Sequence, residues 1–283
     1  MLNGCAYILT VDVGNTFIRF GLFAEDSAAA RECPLATCEI TTPSSITADE
    51  ARMRLAQVMG ALAADAGMPG ALVPTAAVLS CVVPALERPW KTALSRTCTG
   101  RVLTVGPGLK TGMPVHYDDP AEIGPDRIAD AVAARAVYGS PCIVIDLGTT
   151  TNIEVIDARG TFVGGVIAPG LALGARSLSA AAARLPQVEP SAPTHVIGRN
   201  TREAMRSGVV LGEVARIDGM LDMVLAEMRA TKAAGEGDVP IVITGDDAEA
   251  LAALVGHSLT VDDALTLRGL AELYRINQKP RRA

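Results

Sequence analysis

Two similar turns constrain the fold of this chain more than any other feature of its sequence. The first turn motif spans residues 12–16 (DVGNT), and the second turn motif spans residues 146–151 (DLGTTT). Each follows a short apolar run, residues 8–13 or 142–147, and each leads into another strand-like run. Because this pattern of strand, turn and strand occurs twice in 283 residues, the sequence indicates two related halves.

The residue types in these turns suit the binding of a phosphate. Glycine lets backbone N–H groups come close to an anion, and short hydroxyl or amide side chains add further donors. Asp12 and Asp146, at the strand ends, cannot bind a phosphate directly but can hold a cation that accompanies one. Either motif alone is better interpreted as an ordinary hairpin turn, since Asp-x-Gly is common turn chemistry. Together, in matching contexts, they favour two phosphate-binding turns.

The order of the predicted elements repeats in the same way. The first half is predicted to contain strands at 8–13, 17–24, 35–42, 76–83 and 101–105, and helices beginning at 47, 84 and 124. The second half is predicted to contain strands at 142–147, 152–158, 161–168, 239–244 and 259–261, and helices at 171–185, 200–231, 248–255 and 265–277. Thr47 and Glu50 form a capping box that marks the start of the first helix.

Composition and charge exclude several classes of protein. Hydrophobic residues make up 49% of the chain and charged residues 20%, as is typical of a globular protein. The net charge is -6, and the absence of a basic stripe, apart from Lys279, Arg281 and Arg282 near the end, argues against nucleic-acid binding.

The six cysteines show no Cys-x-x-Cys spacing, which argues against a zinc site or a disulfide framework. The absence of a signal peptide and of a long apolar window predicts a cytoplasmic protein with no membrane span.

The doubled strand order resembles the ribonuclease H-like duplication of the acetate and sugar kinase, Hsp70 and actin superfamily. The resemblance implies an α/β fold of two ribonuclease H-like domains with mixed sheets, at residues 1–118 and 119–283, the second carrying dimer-forming helices. It also implies that a nucleotide lies in the cleft between them. Fold alone leaves a kinase, a chaperone ATPase and a filament protein open as functions.

Five stretches resemble the type III pantothenate kinases, the family that includes the Bvg accessory factor. Two of them are the turn motifs. Residues 117–127 resemble the substrate and catalytic segment, residues 164–170 (GGVIAPG) a characteristic loop, and residues 200–208 (NTREAMRSG) the helix at the subunit interface. The order and spacing of these stretches, over nearly the whole chain, carry the resemblance.

The resemblance implies phosphorylation of pantothenate on its primary hydroxyl by ATP, the first committed step of coenzyme A synthesis. Asp126 is implied to be the catalytic base, and Asp146 to hold a monovalent cation, potassium or ammonium, while magnesium accompanies ATP. The implied ATP contacts are Asp12, Val13, Gly14, Asn15, Thr16, Phe17, Ile18, Arg19, Gly148 and Thr149. The implied pantothenate contacts are Tyr117, Gly124, Pro125, Asp126, Arg127 and Thr201. Thr201 is implied to reach across from a partner subunit, so a homodimer is expected.

Alternative interpretations of these residues remain open. Asp126, in the first turn of a helix, is placed where the helix dipole favours an ionised carboxylate, which suits a base but also simply stabilises the helix. Arg127 is also suited to a surface ion pair with Glu122 or Asp130. Thr201, or the Asn200 before it, is suited to capping a helix.

One segment departs from the pattern of the family. Residues 244–247 read TGDD, where these kinases generally have a second glycine. Asp246 and Asp247 either affect nucleotide affinity or begin a helix outside the site. The rival functions are a catalytically idle accessory factor that acts through protein contacts, and another small-molecule kinase of the same fold.

Overall fold

The computed structural model describes residues 6–25, 33–68 and 72–278. Cys5 and the terminal residues Lys279, Arg281 and Arg282 lie outside these described residues. Among the helices of the described residues, none is long and apolar enough to cross a membrane.

Unit 1, the first of two compact units, contains the residues up to 137 together with those from 264 onward. Its mixed five-stranded sheet consists of β1 (Tyr7–Val13), β2 (Phe17–Ala24), β3 (Ala36–Thr41), β4 (Ala76–Cys81) and β5 (Val102–Thr104), in the order β3-β2-β1-β4-β5. β2 pairs antiparallel with β1 and β3, whereas β4 pairs parallel with β1 and β5. The helices in this part of the chain are α1 (Ala48–Asp65), α2 (Pro84–Thr97) and α3 (Pro125–Tyr138).

Unit 2 contains residues 138–263 and repeats this plan. Its strands are β6 (Cys142–Leu147), β7 (Thr150–Ile156), β8 (Phe162–Pro169), β9 (Ile241–Gly245) and β10 (Thr260–Val261), in the order β10-β9-β6-β7-β8. The helices are α4 (Leu171–Ala181), α5 (Thr201–Arg206), α6 (Gly212–Ala230) and α7 (Ala248–Ala252), after which α8 (Leu265–Ile276) lies in unit 1. Since each unit places its five strands in the same order and with the same directions, the predicted duplicated α/β fold is confirmed.

The core of unit 1 lies between its sheet and the helices α1 and α2. The predicted capping box is present, because the Glu50 N–H donates to Thr47 Oγ1 at 3.2 Å and the Thr47 N–H donates to Glu50 Oε2 at 2.8 Å. Fully buried side chains of α1 and α2, among them Leu55 and Trp90, pack with the apolar residues of β1 and β2. This packing holds β1, and with it the first turn motif, in a rigid sheet.

The helices α3 and α8 pack closely against each other in unit 1. Gly269 of α8 lies against Ala129 of α3, where a Cβ atom would collide with the carbonyl oxygen of Ala129. Residues 119–137 and α8 both lie in unit 1, and this contact joins them. The C-terminal helix therefore belongs to the unit that carries Asp126.

Several element boundaries differ from the predicted ones. β7 begins at Thr150, two residues earlier than predicted, because Thr151 already pairs with Leu147. α4 ends at Ala181 rather than at 185, near Pro186, which disfavours a helical residue before it. The predicted helix at 200–231 runs from Thr201 to Ala230, but a π-helical segment (Ser207–Leu211) joins α5 to α6.

Candidate active site

The first turn motif joins β1 to β2 and is held in place by the end of β3. The Gly14 N–H donates to the carbonyl oxygen of Phe17 at 3.0 Å, which closes the turn. Thr42 Oγ1 donates to the carbonyl oxygen of Gly14 at 2.8 Å, and the Thr42 N–H donates to that of Thr16 at 2.9 Å. Asn15 and Thr16 are exposed at the tip of the turn, so their donors are accessible to a ligand.

The other residues of this motif differ in accessibility. Val13 and Ile18 are fully buried in the core of unit 1, so any contact they make with a ligand involves their backbone only. Phe17 and Arg19 are half-buried, and the Arg19 guanidinium lies 5.9 Å from the centroid of the Phe17 ring. Arg19 also pairs with Glu39 at 2.9 Å.

Asp12 is a buried carboxylate at the end of β1. It lies beside Ser80 of β4 and Arg19 of β2 in the sheet register. Burial, and next the negative charge of Asp126, raise the pKa of Asp12 to about 6 from its ordinary value of 3.8. Its Oδ1 atom has no hydrogen-bond partner among the described residues. A buried carboxylate of this kind is costly unless a cation or a donor approaches it.

Asp126 is the second residue of α3, and the structure brings it close enough to Asp12 for the two charges to repel. The Arg127 N–H donates to Asp126 Oδ1 at 2.8 Å. A Cβ atom at Gly124 would collide with this same oxygen, so glycine leaves room for the carboxylate. Burial outweighs the N–H donation and raises the pKa of Asp126. The position of Asp126 at the start of the helix therefore does not by itself determine its pKa.

The neighbours of Asp126 clarify two alternatives from the sequence. Arg127 is only 5% exposed, so it does not lie at the surface, as the ion-pair alternative assumes. Asp119 caps the 3₁₀ turn Pro120–Glu122 by accepting a hydrogen bond from the Ala121 N–H at 2.9 Å. Tyr117, just before this turn, is half-buried.

The second turn motif joins β6 to β7 in unit 2. The Gly148 N–H donates to the carbonyl oxygen of Thr150 at 3.0 Å, as the equivalent glycine does in the first motif. The Gly170 N–H donates to the carbonyl oxygen of Thr149 at 3.0 Å. A Cβ atom at residue 170 would collide with the carbonyl oxygen of Gly148. The end of the segment 164–170 therefore lies directly on this turn.

The segment with two aspartates adjoins the second turn motif on its other side. The Asp246 N–H donates to the carbonyl oxygen of Leu147 at 2.6 Å. A Cβ atom at Gly245 would lie 2.8 Å from Asp146 Oδ1, and Gly245 has a φ of 92°, so this close approach favours glycine. Asp247 directly precedes α7 with a φ of 58°. The two aspartates thus form the turn before α7, and this turn lies beside the second turn motif rather than away from it.

Thr201 is the exposed first residue of α5. The helix is capped by Asn200, whose side-chain oxygen accepts a hydrogen bond from the Glu203 N–H at 3.0 Å. Glu203 in turn accepts one from the Arg199 N–H at 3.0 Å. Since Asn200 supplies the cap, the Thr201 hydroxyl is not required for it.

The two carboxylates of unit 1 suit a divalent cation. Magnesium prefers carboxylate oxygens together with phosphate and water. Asp12 has a buried oxygen without a partner among the described residues, and the nearby charge of Asp126 repels it. A magnesium ion bound with a nucleotide would relieve both of these costs.

Four supporting residues were not predicted from the sequence. Thr42 donates a hydrogen bond to the first turn motif, and Ser80 lies beside Asp12 in the sheet register, while Glu213 and Arg216 of α6 contact β7 and β8. Of these four, only Glu213 and Arg216 could have been found from the sequence. They are opposite charges three residues apart on a helix that is otherwise apolar on one side. The Thr42 and Ser80 contacts depend on strand pairing, which local patterns do not reveal.

Comparison with known proteins gives a consistent result. The sequence profile of the type III pantothenate kinases matches residues 8–223. The chain is 37% identical over 275 residues to the type III pantothenate kinase of Koribacter versatilis, covering 96% of each protein. It is 39% identical over 274 residues to type III pantothenate kinase 2 of Symbiobacterium thermophilum, covering 96% of this chain and 97% of that protein.

A solved structure supports the fold independently. A protein described as a conserved Baf family transcriptional activator from Campylobacter jejuni superposes with a TM-score of 0.56 at 18% identity, covering 95% of this chain and 98% of that one. At this identity the likeness concerns the fold alone, and it extends over both units.

Proposed function

The chain belongs to the type III pantothenate kinase family, and we propose that it transfers the γ-phosphoryl group of ATP to the primary hydroxyl of pantothenate, giving 4'-phosphopantothenate. The observation that supports this proposal is the electrostatic repulsion between Asp12 and Asp126 within unit 1. The carboxylate at the end of the first turn motif thus lies near enough to interact with that of the segment that resembles a substrate site. Phosphoryl transfer to an alcohol needs a cation-binding group and a base in one site.

Asp126 acts as the general base in this proposal. It accepts the proton of the pantothenate hydroxyl while that oxygen forms a bond to the γ-phosphorus and the bond between this phosphorus and the leaving ADP oxygen breaks. Little assistance from the base is needed early, since the transition state is loose. Because burial raises the pKa of Asp126 toward the working pH, the carboxylate is a better proton acceptor than an exposed aspartate.

The two turn motifs bind the phosphates of ATP in this proposal. In the first motif, residues 12–19 contact ATP, and the exposed Asn15 and Thr16 supply donors. In the second, Gly148 and Thr149 do so. Magnesium accompanies ATP, and Asp12 would hold it. When bound there, the metal neutralises phosphate charge.

Asp146 holds a monovalent cation, potassium or ammonium, in this proposal. The support for this role is chemical, since Asp146 is a carboxylate at the end of β6 and adjoins the second turn motif. The close approach of Gly245 to Asp146 Oδ1 limits the space around the carboxylate. A small cation suits such a position better than a bulky side chain.

Pantothenate is recognised by Tyr117, residues 124–127 and Thr201 in this proposal. Arg127 is buried and directly follows Asp126, and a planar guanidinium can pair with the substrate carboxylate in two hydrogen bonds. The close packing of Gly124 on Asp126 fixes the backbone at the base. We place the reaction in the cytoplasm, where ATP is available.

The expected assay result is ADP release that requires both pantothenate and a monovalent cation. Purified protein with ATP, magnesium and pantothenate should turn over with potassium and much more slowly with sodium in its place. Mass spectrometry should identify 4'-phosphopantothenate as the product. If a folded protein released no ADP under either condition, the accessory-factor interpretation would replace this one, and Asp246→Gly would be the first substitution to test.

A homodimer is part of the proposal, with Thr201 serving the active site of the partner subunit. Thr201 is exposed and its helix is capped without it, so its hydroxyl is available to a ligand. The large apolar side chains that unit 2 exposes include Ile167, Val196 and Ile197, at 61%, 73% and 83%. Contact with a partner subunit would remove such side chains from water.

A subunit-mixing experiment tests this arrangement. Thr201→Trp should block pantothenate binding and Asp126→Asn should remove the base, so each homodimer should be nearly inactive. Mixed dimers of the two variants contain one intact site, so co-expression should restore about a quarter of the wild-type activity. Asp12→Asn mixed with Asp126→Asn is the control that should restore nothing, because both residues lie in the same unit of one subunit. If co-expression of Thr201→Trp with Asp126→Asn restored no activity, Thr201 would act in the active site of its own subunit or in no active site.

A further inference from the structure

Three side chains join α6 to β7, which follows the second turn motif, and to β8, which pairs with β7. Thr151 Oγ1, at the start of β7, donates to Glu213 Oε1 at 2.6 Å. Glu213 Oε2 pairs with Arg216, one turn later on the same helix. Arg216 Nη2 also donates to the carbonyl oxygen of Pro169, the last residue of β8, at 2.6 Å. The chain of contacts thus runs from β7 through α6 to β8.

These contacts lie next to the groups that would face a phosphate. Thr150 and Pro169 are paired in the sheet, and Gly170 directly follows Pro169. The Gly170 N–H donates to the carbonyl oxygen of Thr149 at 3.0 Å. A shift of Thr151 or Pro169 would therefore move Thr149, whose position determines where the turn presents its donors.

Two of the three side chains in this network are buried, although all three are polar or charged. Glu213 and Thr151 are 5% and 4% exposed, whereas the Arg216 side chain is 33% exposed. Glu213 is flanked on α6 by apolar core residues such as Val214 and Ile217. Apolar residues of similar volume often stabilise such a position as well as a buried ion pair does or better, so the pair is weak evidence for stability. Its hydrogen bonds have defined directions, which an apolar contact does not provide.

We propose that Glu213 and Arg216 are positioning residues that hold the second turn motif in its phosphate-binding geometry. The inference rests on the proposed function, because it takes the second turn motif to contact ATP. The first turn motif is supported differently, by the Thr42 hydroxyl and N–H from the end of β3. In unit 2 the corresponding support comes from a helix. α6 continues through the π-helical segment into α5, which carries Thr201.

The first test removes a single hydroxyl from this network. Thr151→Val keeps the volume of the side chain but cannot donate to Glu213, whereas Thr151→Ser keeps the donor. MgATP binding is measured by calorimetry without pantothenate, so that no turnover is needed. Thr151→Val should weaken ATP binding about tenfold, as expected for one lost hydrogen bond to a charged group. Thr151→Ser should stay within about twofold of the wild type.

A second variant separates positioning from stability. Glu213→Leu combined with Arg216→Met replaces the buried pair with apolar side chains, so the midpoint of thermal unfolding should stay unchanged or rise. ATP affinity should nevertheless fall at least as far as in Thr151→Val. Arg229→Ala, an exposed arginine later on α6, is the matched control and should leave both quantities unchanged.

The outcomes distinguish this inference from the proposed function. Equal ATP affinity in Thr151→Val, Thr151→Ser and the wild type would overturn the inference, as would an equal loss in both variants. A wild-type protein that binds ATP but does not phosphorylate pantothenate would contradict the proposed function and leave the comparison of variants valid. A wild-type protein that does not bind ATP would overturn both.

Discussion

Replacement of Asp126 with asparagine is expected to lower kcat by about 10²–10⁴-fold, the usual contribution of a general base. Asparagine has nearly the same shape, and its side-chain oxygen can still accept the hydrogen bond that the Arg127 N–H now donates at 2.8 Å. The variant should therefore fold normally and bind ATP. It cannot accept a proton at neutral pH, so the chemical step should slow while KM for pantothenate changes little.

Steady-state kinetics and circular dichroism check this prediction together. Asp49→Asn is the matched control, since Asp49 is also a carboxylate in the first turn of a helix, but it is exposed and pairs with Arg96. The control should keep its full rate. If Asp126→Asn kept most of its rate as well, Asp126 would be a helix-stabilising residue and another group would have to act as the base.

Much of the fold was predictable because its signals are local. The apolar run and turn around Asp12, and the same pattern around Asp146, predicted two hairpins that begin equivalent sheets. Helix starts such as that of α1 were readable from a capping box four residues long. The resemblance to a duplicated fold could then be inferred, because the strands follow one another along the chain in the same order in both halves.

The rest depends on contacts that are distant in sequence. No local pattern showed that α8 returns to unit 1 and packs through Gly269 against Ala129. The burial of Arg127 was missed for the same reason, since charged residues in a first helical turn are usually exposed. Both features support the N-terminal part of α3 and hence Asp126.

The candidate site was predictable as a set of residues but not as an arrangement. Asp12 and Asp126 were assigned separate roles from separate motifs, and only the structure shows that their charges interact. The role of the helix dipole at Asp126 was overestimated, because the sequence does not reveal how deeply the carboxylate is buried. Desolvation is a property of the packed structure.

Replacement of Asp12 with asparagine is expected to abolish turnover and at the same time to stabilise the protein at neutral pH. The pKa of Asp12 is raised from 3.8 to about 6, so its ionisation opposes folding. The penalty is absent below about pH 4, grows as pH rises and is complete above about pH 6. The full shift corresponds to about 3 kcal/mol, and part of it is offset because the amide also leaves a buried polar group. A gain of about 1–3 kcal/mol at pH 8 is expected.

Thermal unfolding of the wild type and of Asp12→Asn at pH 4, 5 and 8 checks this prediction. The stability advantage of the variant should be largest at pH 8, smaller at pH 5 and nearly absent at pH 4. If the variant were less stable than the wild type at pH 8, the ionised Asp12 carboxylate would not destabilise the folded protein. Addition of MgATP should stabilise only the wild type, because a cation bound at Asp12 removes the repulsion from Asp126. In the proposed function, the unfavourable charge of Asp12 is thus what would favour the binding of magnesium with ATP at this position.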